Sequence, residues 1–105
     1  MSYHFDPVQI RFLGKTYNVQ LVATRYTDGN LAVQVLCSDG PFGTLSTNID
    51  GLELAPDEFC VKIWSENDPW AMELINQFPE FEDTGRRFHS GFVSGPIYRM
   101  LQVVG

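Results

Sequence analysis

The residues with the most chemical potential fall in one stretch, 81–99, FEDTGRRFHSGFVSGPIYR, where Arg86-Arg87 and His89-Ser90 sit among three glycines. A serine beside a histidine invites nucleophilic catalysis, but neighbours on an extended chain point to opposite faces, so His89 is not placed to take the Ser90 proton. The other histidine, His4, lies close to the chain start, where a base is poorly held. Cys37 and Cys60 lack CxxC spacing and sit in apolar alternating runs, where cysteine behaves as a small hydrophobe. Both are expected as reduced core residues, and a thiolate nucleophile is disfavoured there.

Metal and phosphate chemistry fare no better. Two isolated histidines and two isolated cysteines make no ligand spacing, and the many carboxylates follow no calcium-loop pattern, so neither metal nor cofactor is expected. Gly14-Lys15-Thr16 looks like the end of a phosphate-binding loop, but Gln9 stands where the first glycine belongs. The residues after it alternate like a strand, whereas that loop must open a helix. Arg86, Arg87 and Arg99 with Phe88, Phe92 and Tyr98 could form a basic, aromatic platform for single-stranded nucleic acid. Net charge is −6, which repels a polyanion, so direct nucleic-acid binding is not expected.

The distribution of charge is more informative than its sum. Residues 50–83 carry ten acids against the single Lys62, while 84–105 carry three arginines and no acid. Polarity therefore reverses beside Gly85, and Arg86 or Arg87 is expected to pair with Glu82 or Asp83 across that turn. The acids of the 50–57 loop, of 66–68 and of 80–83 each lie at an element end and could converge on one rim.

The elements that must carry these groups follow from periodicity. Alternation of apolar and polar residues predicts strands over 8–13, 17–26, 31–38, 44–49 and 58–64, with extended segments at 86–88 and 96–104 pairing as a final hairpin. Gly14-Lys15 and Asp28-Gly29 mark tight turns. Trp70, Ala71, Leu74, Ile75 and Phe78 share one face of a helix predicted over 68–78, with Asp68 as N-cap, Pro69 at the first position and Pro79 as stop. The expected fold is α+β, a mostly antiparallel sheet of about five to seven strands with one helix on it. At 105 residues and 44% hydrophobic composition it forms a single domain, 1–105, without staples. The start, MSYHFDPVQ, has no leader pattern, and no apolar run nears the roughly 18 residues of a membrane span, so a cytoplasmic protein is expected.

Two segments, TLSTNIDGLELAPDEFCVKIWSEND and EDTGRRFHSGFVSGPIYRM, together resemble a family of small uncharacterised bacterial proteins, a domain of unknown function carried on plasmids and other mobile elements. The resemblance covers about residues 44–101 and implies no reaction. Related members carry a proline before Ser90, where this chain has His89. Small acidic products of mobile elements include inhibitors of host defence that occlude a nucleic-acid-binding surface, which is analogy at family level.

Three functions are consistent with these features. The first is a non-enzymatic interaction protein that meets a basic protein partner through Glu66, Asp68, Glu80, Glu82, Asp83, Arg86 and Arg87. The second is a ligand-binding or enzymatic pocket built from Ser65, Glu66, Asn67, Arg86, Arg87, His89 and Ser90, where the end of the fifth strand meets the Gly85 turn. The third is a structural domain, monomer or homodimer, pairing through an apolar edge over 97–104.

Overall fold

A computed structural model describes residues 3–101. Short alternating segments separated by glycine turns produce nine antiparallel strands among those residues. β1 (Tyr3–His4) and β2 (Val8–Phe12) both pair with the long β3 (Lys15–Arg25), followed by β4 (Leu31–Cys37) and β5 (Gly40–Thr44). A second sheet has the order β6 (Ser46–Thr47), β7 (Glu58–Val61), β9 (Val93–Met100), β8 (Phe81–Ser90). The mostly antiparallel α+β class expected from the sequence is the one the chain adopts, arranged as two sheets.

The division falls inside the segment read as one strand over 44–49. Gly40–Thr44 folds back on β4, then Leu45 hands the chain over: its N–H donates to the Val33 carbonyl at 2.9 Å and its carbonyl accepts from the Lys62 N–H at 2.8 Å. Leu45 is fully buried. Ser46 next to it is buried too, its hydroxyl accepting from the Val33 N–H and lying 2.9 Å from the Tyr26 hydroxyl.

Turn chemistry sets the registers. Phe12 pairs with Lys15, so the first hairpin turns on Leu13-Gly14, one residue before the expected Gly14-Lys15. Both turn residues have positive φ, 52° and 78°, the geometry of a primed two-residue turn. The Asp28-Gly29 turn is a three-residue loop closed by Tyr26 N–H to the Asn30 carbonyl at 2.8 Å, with Gly29 at φ 90°. That is the bulged hairpin for which Asp-Gly is suited.

The helix is shorter than its periodicity suggested. Trp70, Ala71, Leu74, Ile75 and Phe78 are all buried, as the apolar face required, but regular α-helix (α1) covers only Ala71–Ile75. Ser65–Asn67 forms a separate 3-10 turn that ends at Asp68, so Asp68 does not cap α1; Trp70 precedes the helix without a side-chain cap. The break has a local cause. Asn67 is buried and donates to the Thr44 and Lys62 carbonyls at 2.7 and 3.2 Å, which anchors the turn to the junction of the sheets before the helix can start.

Aromatic rings close the main core at both ends of α1. Phe42 packs on Trp70 at 5.3 Å, while Phe5 meets Phe78 and Phe81 at 5.3 and 5.2 Å. A smaller cluster, Cys60, Phe88 and Ile97, lies on the outer face of the second sheet under Ile49, Leu52, Leu54 and Trp64. The 50–57 loop is therefore a cover with a buried side. Gly95 faces this cluster, and a Cβ there would stand 2.8 Å from the Val61 carbonyl and 3.0 Å from the Phe88 ring.

The final hairpin forms, with one correction. β9 lies between β7 and β8, Ile97 pairing with Cys60 and Tyr98 with both Phe59 and Asp83. The dimerising edge expected over 97–104 is thus internal through Met100, and residues 102–104 lie outside the described residues.

Leu13 is 82% exposed and holds a left-handed backbone that a leucine side chain disfavours. Leu13→Asn should raise unfolding stability by roughly 0.5–1 kcal/mol, since asparagine tolerates that conformation. The check is a urea midpoint that rises at constant slope; an unchanged or lower midpoint contradicts the assigned turn.

Candidate functional site

Where the acidic segment meets the arginine tail, strand register brings opposite charges together. Glu58 stands opposite Arg99, and Arg99 opposite Glu82, so three side chains line up across β7, β9 and β8. Arg99 lies 3.1 Å from Glu82, 3.4 Å from Asp57 and 3.8 Å from Glu58. Glu58 is the buried member, its side chain 5% exposed. Its Oε1 accepts from the Ala55 N–H and from Arg86 Nη1, both at 2.9 Å.

Arg86 reaches Glu58 because β8 bulges. The pairing shifts between Asp83 and Arg87, leaving 84–86 opposite Ile97, with Gly85 at φ 81°. Asp83 accepts from the Gly85 N–H at 2.9 Å, and the Thr84 hydroxyl donates to the Ile97 carbonyl at 2.6 Å. A glycine suits that left-handed position because it has no Cβ. The junction foreseen between acids and arginines exists with other partners: Arg86 pairs with Glu58, and Glu82 pairs with Arg99. Arg87 has no carboxylate partner among the described residues.

The remaining candidates are scattered. Glu66 is exposed and bound to Lys62 at 2.8 Å, and that hydrogen bond, with a second from Ser65, holds its carboxyl well below the usual range. Asp68 is exposed beside the 3-10 turn. Glu80 joins the Asp57 and Glu82 end of the second sheet, because its carbonyl accepts from the Leu101 N–H at 2.7 Å while the Asp57 carbonyl accepts from the Met100 N–H at 2.8 Å. Glu66 and Asp68 follow the opposite end of β7. The single acidic rim is therefore two patches.

The pocket expected from Ser65, Asn67, Arg86, Arg87, His89 and Ser90 does not assemble. Gly85 lies opposite the middle of β9 and not against the end of β7. Phe88 points into the outer cluster, so Arg87 and His89, its neighbours in β8, face the other way. Asn67 is committed to backbone carbonyls, its Oδ1 has no partner among the described residues, and Ser65 is exposed at φ 59°. The basic and aromatic platform is also absent as such. Arg86 and Arg99 are engaged by carboxylates, Phe88 and Tyr98 are buried, and Phe92 stands fully exposed in the hairpin turn.

Burial pushes the Cys60 thiol up to about 11, an inert sulfur, and Cys37 is half-buried. Among the described residues no group of three or more His, Cys, Asp and Glu converges as a metal set would. Sequence reasoning missed Asp57 and Glu58 as the centre of the junction. The available signal was that Glu58 shares the outward parity of Cys60 in a strand whose two faces are both apolar, so a carboxylate there demanded a cation.

Comparisons with models of protein families, with curated proteins and with solved structures find no match to this chain.

Arg86→Ala removes a charged donor from a buried carboxylate and should lower stability by about 1.5–3 kcal/mol. Arg87→Ala, on an exposed arginine with no carboxylate partner among the described residues, should stay within about 0.5 kcal/mol. Denaturation of both variants measures the contrast, and equal losses would contradict the assignment.

Proposed function

We propose that the protein is a non-enzymatic interaction domain that uses its acidic half to cover a basic surface on a protein partner. One observation carries this reading. Three cations engage only a few carboxylates, Lys62 on Glu66, Arg86 on Glu58, and Arg99 on Asp57, Glu58 and Glu82, while Arg87 answers none among the described residues. Asp50, Glu53, Asp68, Glu73, Glu80 and Asp83 have no ion pair among the described residues, and all but Glu80 are exposed. Their field extends into solvent, where it favours encounter with positive charge and repels nucleic acid itself.

Nucleic-acid-handling proteins carry positive surfaces of this kind, because phosphate neutralisation supplies much of their affinity. An acidic domain that occupies such a surface competes with the nucleic acid. In the mobile-element setting that the family resemblance implies, the partner is a component of host defence and the protein its inhibitor. The dispersal of Asn67, Arg86, His89 and Ser90 over different faces supports a binding function over a catalytic one.

The variant Asp68→Asn, Glu73→Gln, Glu80→Gln, Asp83→Asn leaves every ion pair above intact. Calorimetric titration with poly-lysine at low salt should find binding at least tenfold weaker than for the unmodified chain, with unchanged circular dichroism. Undiminished affinity, or affinity insensitive to salt, contradicts an acidic docking surface.

A further inference from the structure

The outward face of the first sheet carries a groove that the acidic half does not share. Val19, Leu21, Val33 and Val35 point into the core, so the alternate side chains of β3 and β4 point away from it. Register sets Gln20 opposite Leu36, and Leu36 opposite Pro41. Two shallow concavities of about 220 and 350 Å3 flank Leu36, which lines both. Gln34, Pro41 and Thr44 wall the smaller one; Pro7, Asn18, Gln20 and Ser38 wall the larger. None of the twelve lining residues is charged, in a chain that is 19% charged.

Hydrogen bonds within the sheet fix which end of each amide is available. The Gln9 side-chain NH2 donates to Asn18 Oδ1 at 3.1 Å, which leaves the Asn18 NH2 as a donor. The Gln20 NH2 donates to the Phe5 carbonyl at 2.9 Å, which leaves Gln20 Oε1 as an acceptor. Asn18 and Gln20 are two residues apart on one face of β3, about 7 Å along the strand, so donor and acceptor both line the larger concavity.

We propose that this groove binds a neutral oligosaccharide. Each sugar hydroxyl both donates and accepts, so hydroxyls about 7 Å apart, across one ring or on neighbouring rings, match the Asn18 donor and the Gln20 acceptor together. The apolar C–H faces of the rings cover Leu36, Pro7 and Pro41, a mixed surface of the sort small-molecule sites use. The larger concavity is at the lower end of the roughly 300–1,000 Å3 of such sites, and the two, either side of Leu36, suit a chain of rings with a linkage crossing that side chain. Walls without a base or an acid offer no charge partner to a phosphorylated, sulfated or cationic ligand. No groove residue belongs to the acidic surface, so the proposal stands or falls separately from the proposed partner.

The test is a titration of the isotope-labelled chain with cellotetraose, maltotetraose and chitotetraose, followed through the side-chain amide resonances of Asn18, Gln20 and Gln34. At least one of the three should give saturable shifts at those amides. Asn18→Asp, which removes the donor yet keeps the acceptor for Gln9, and Leu36→Arg, which fills the groove with charge, should each weaken binding at least tenfold with unchanged melting. Absence of saturable shifts with all three sugars overturns the proposal, as do shifts mapping outside the groove or undiminished in both variants. Shifts at the same amides from tetra-alanine, with none from the sugars, also overturn it by making the groove a peptide site.

Discussion

Glu58 is the residue on which the second half of the molecule depends. A carboxylate at 5% exposure is tolerable only with its charge answered, and the answer comes from three segments of chain: the Ala55 N–H, Arg86 from the bulge of β8, and Arg99 across the sheet. Each of these contacts fixes something larger. Ala55 ties down the loop that covers Cys60, Phe88 and Ile97; Arg86 requires the bulge at Gly85; Arg99 carries the attraction on to Asp57 and Glu82. A buried ion pair of this type adds little net stability over an apolar substitute, but it rejects alternative registers, since any slip strands a charge.

That internal demand also shapes the exterior. Arg86 and Arg99 are drawn in by Glu58 and its neighbours, and Asp50, Glu53, Asp68, Glu73 and Asp83 stay exposed with no ion pair among the described residues. The first sheet contrasts with this. Its acids and bases balance over residues 1–49, and the groove around Leu36 is lined without charge. Two surfaces of different chemistry thus occupy the two sheets, joined at Leu45 and Ser46.

Much of this was legible in the residue pattern. The Asp28-Gly29 hairpin and the buried face of the helix rest on local rules, and local rules read directly from sequence. The crossing at Leu45 was hidden because one alternating run serves two sheets, and periodicity carries no mark of where a strand changes partner. The helix start was misread because Asp68-Pro69 is a good local cap, whereas Asn67 answers to two carbonyls distant in sequence. The partners of Arg86 and Arg99 were illegible for the same reason: they follow from cross-strand register and a bulge, both tertiary properties.

Coupling between Glu58 and Arg86 is measured by a double-mutant cycle in denaturation, with Glu58→Gln, Arg86→Ala and the two combined. A coupling energy of about 1 kcal/mol or more, the double variant losing less than the sum of the singles, is the predicted result. Strict additivity of the two losses would contradict it.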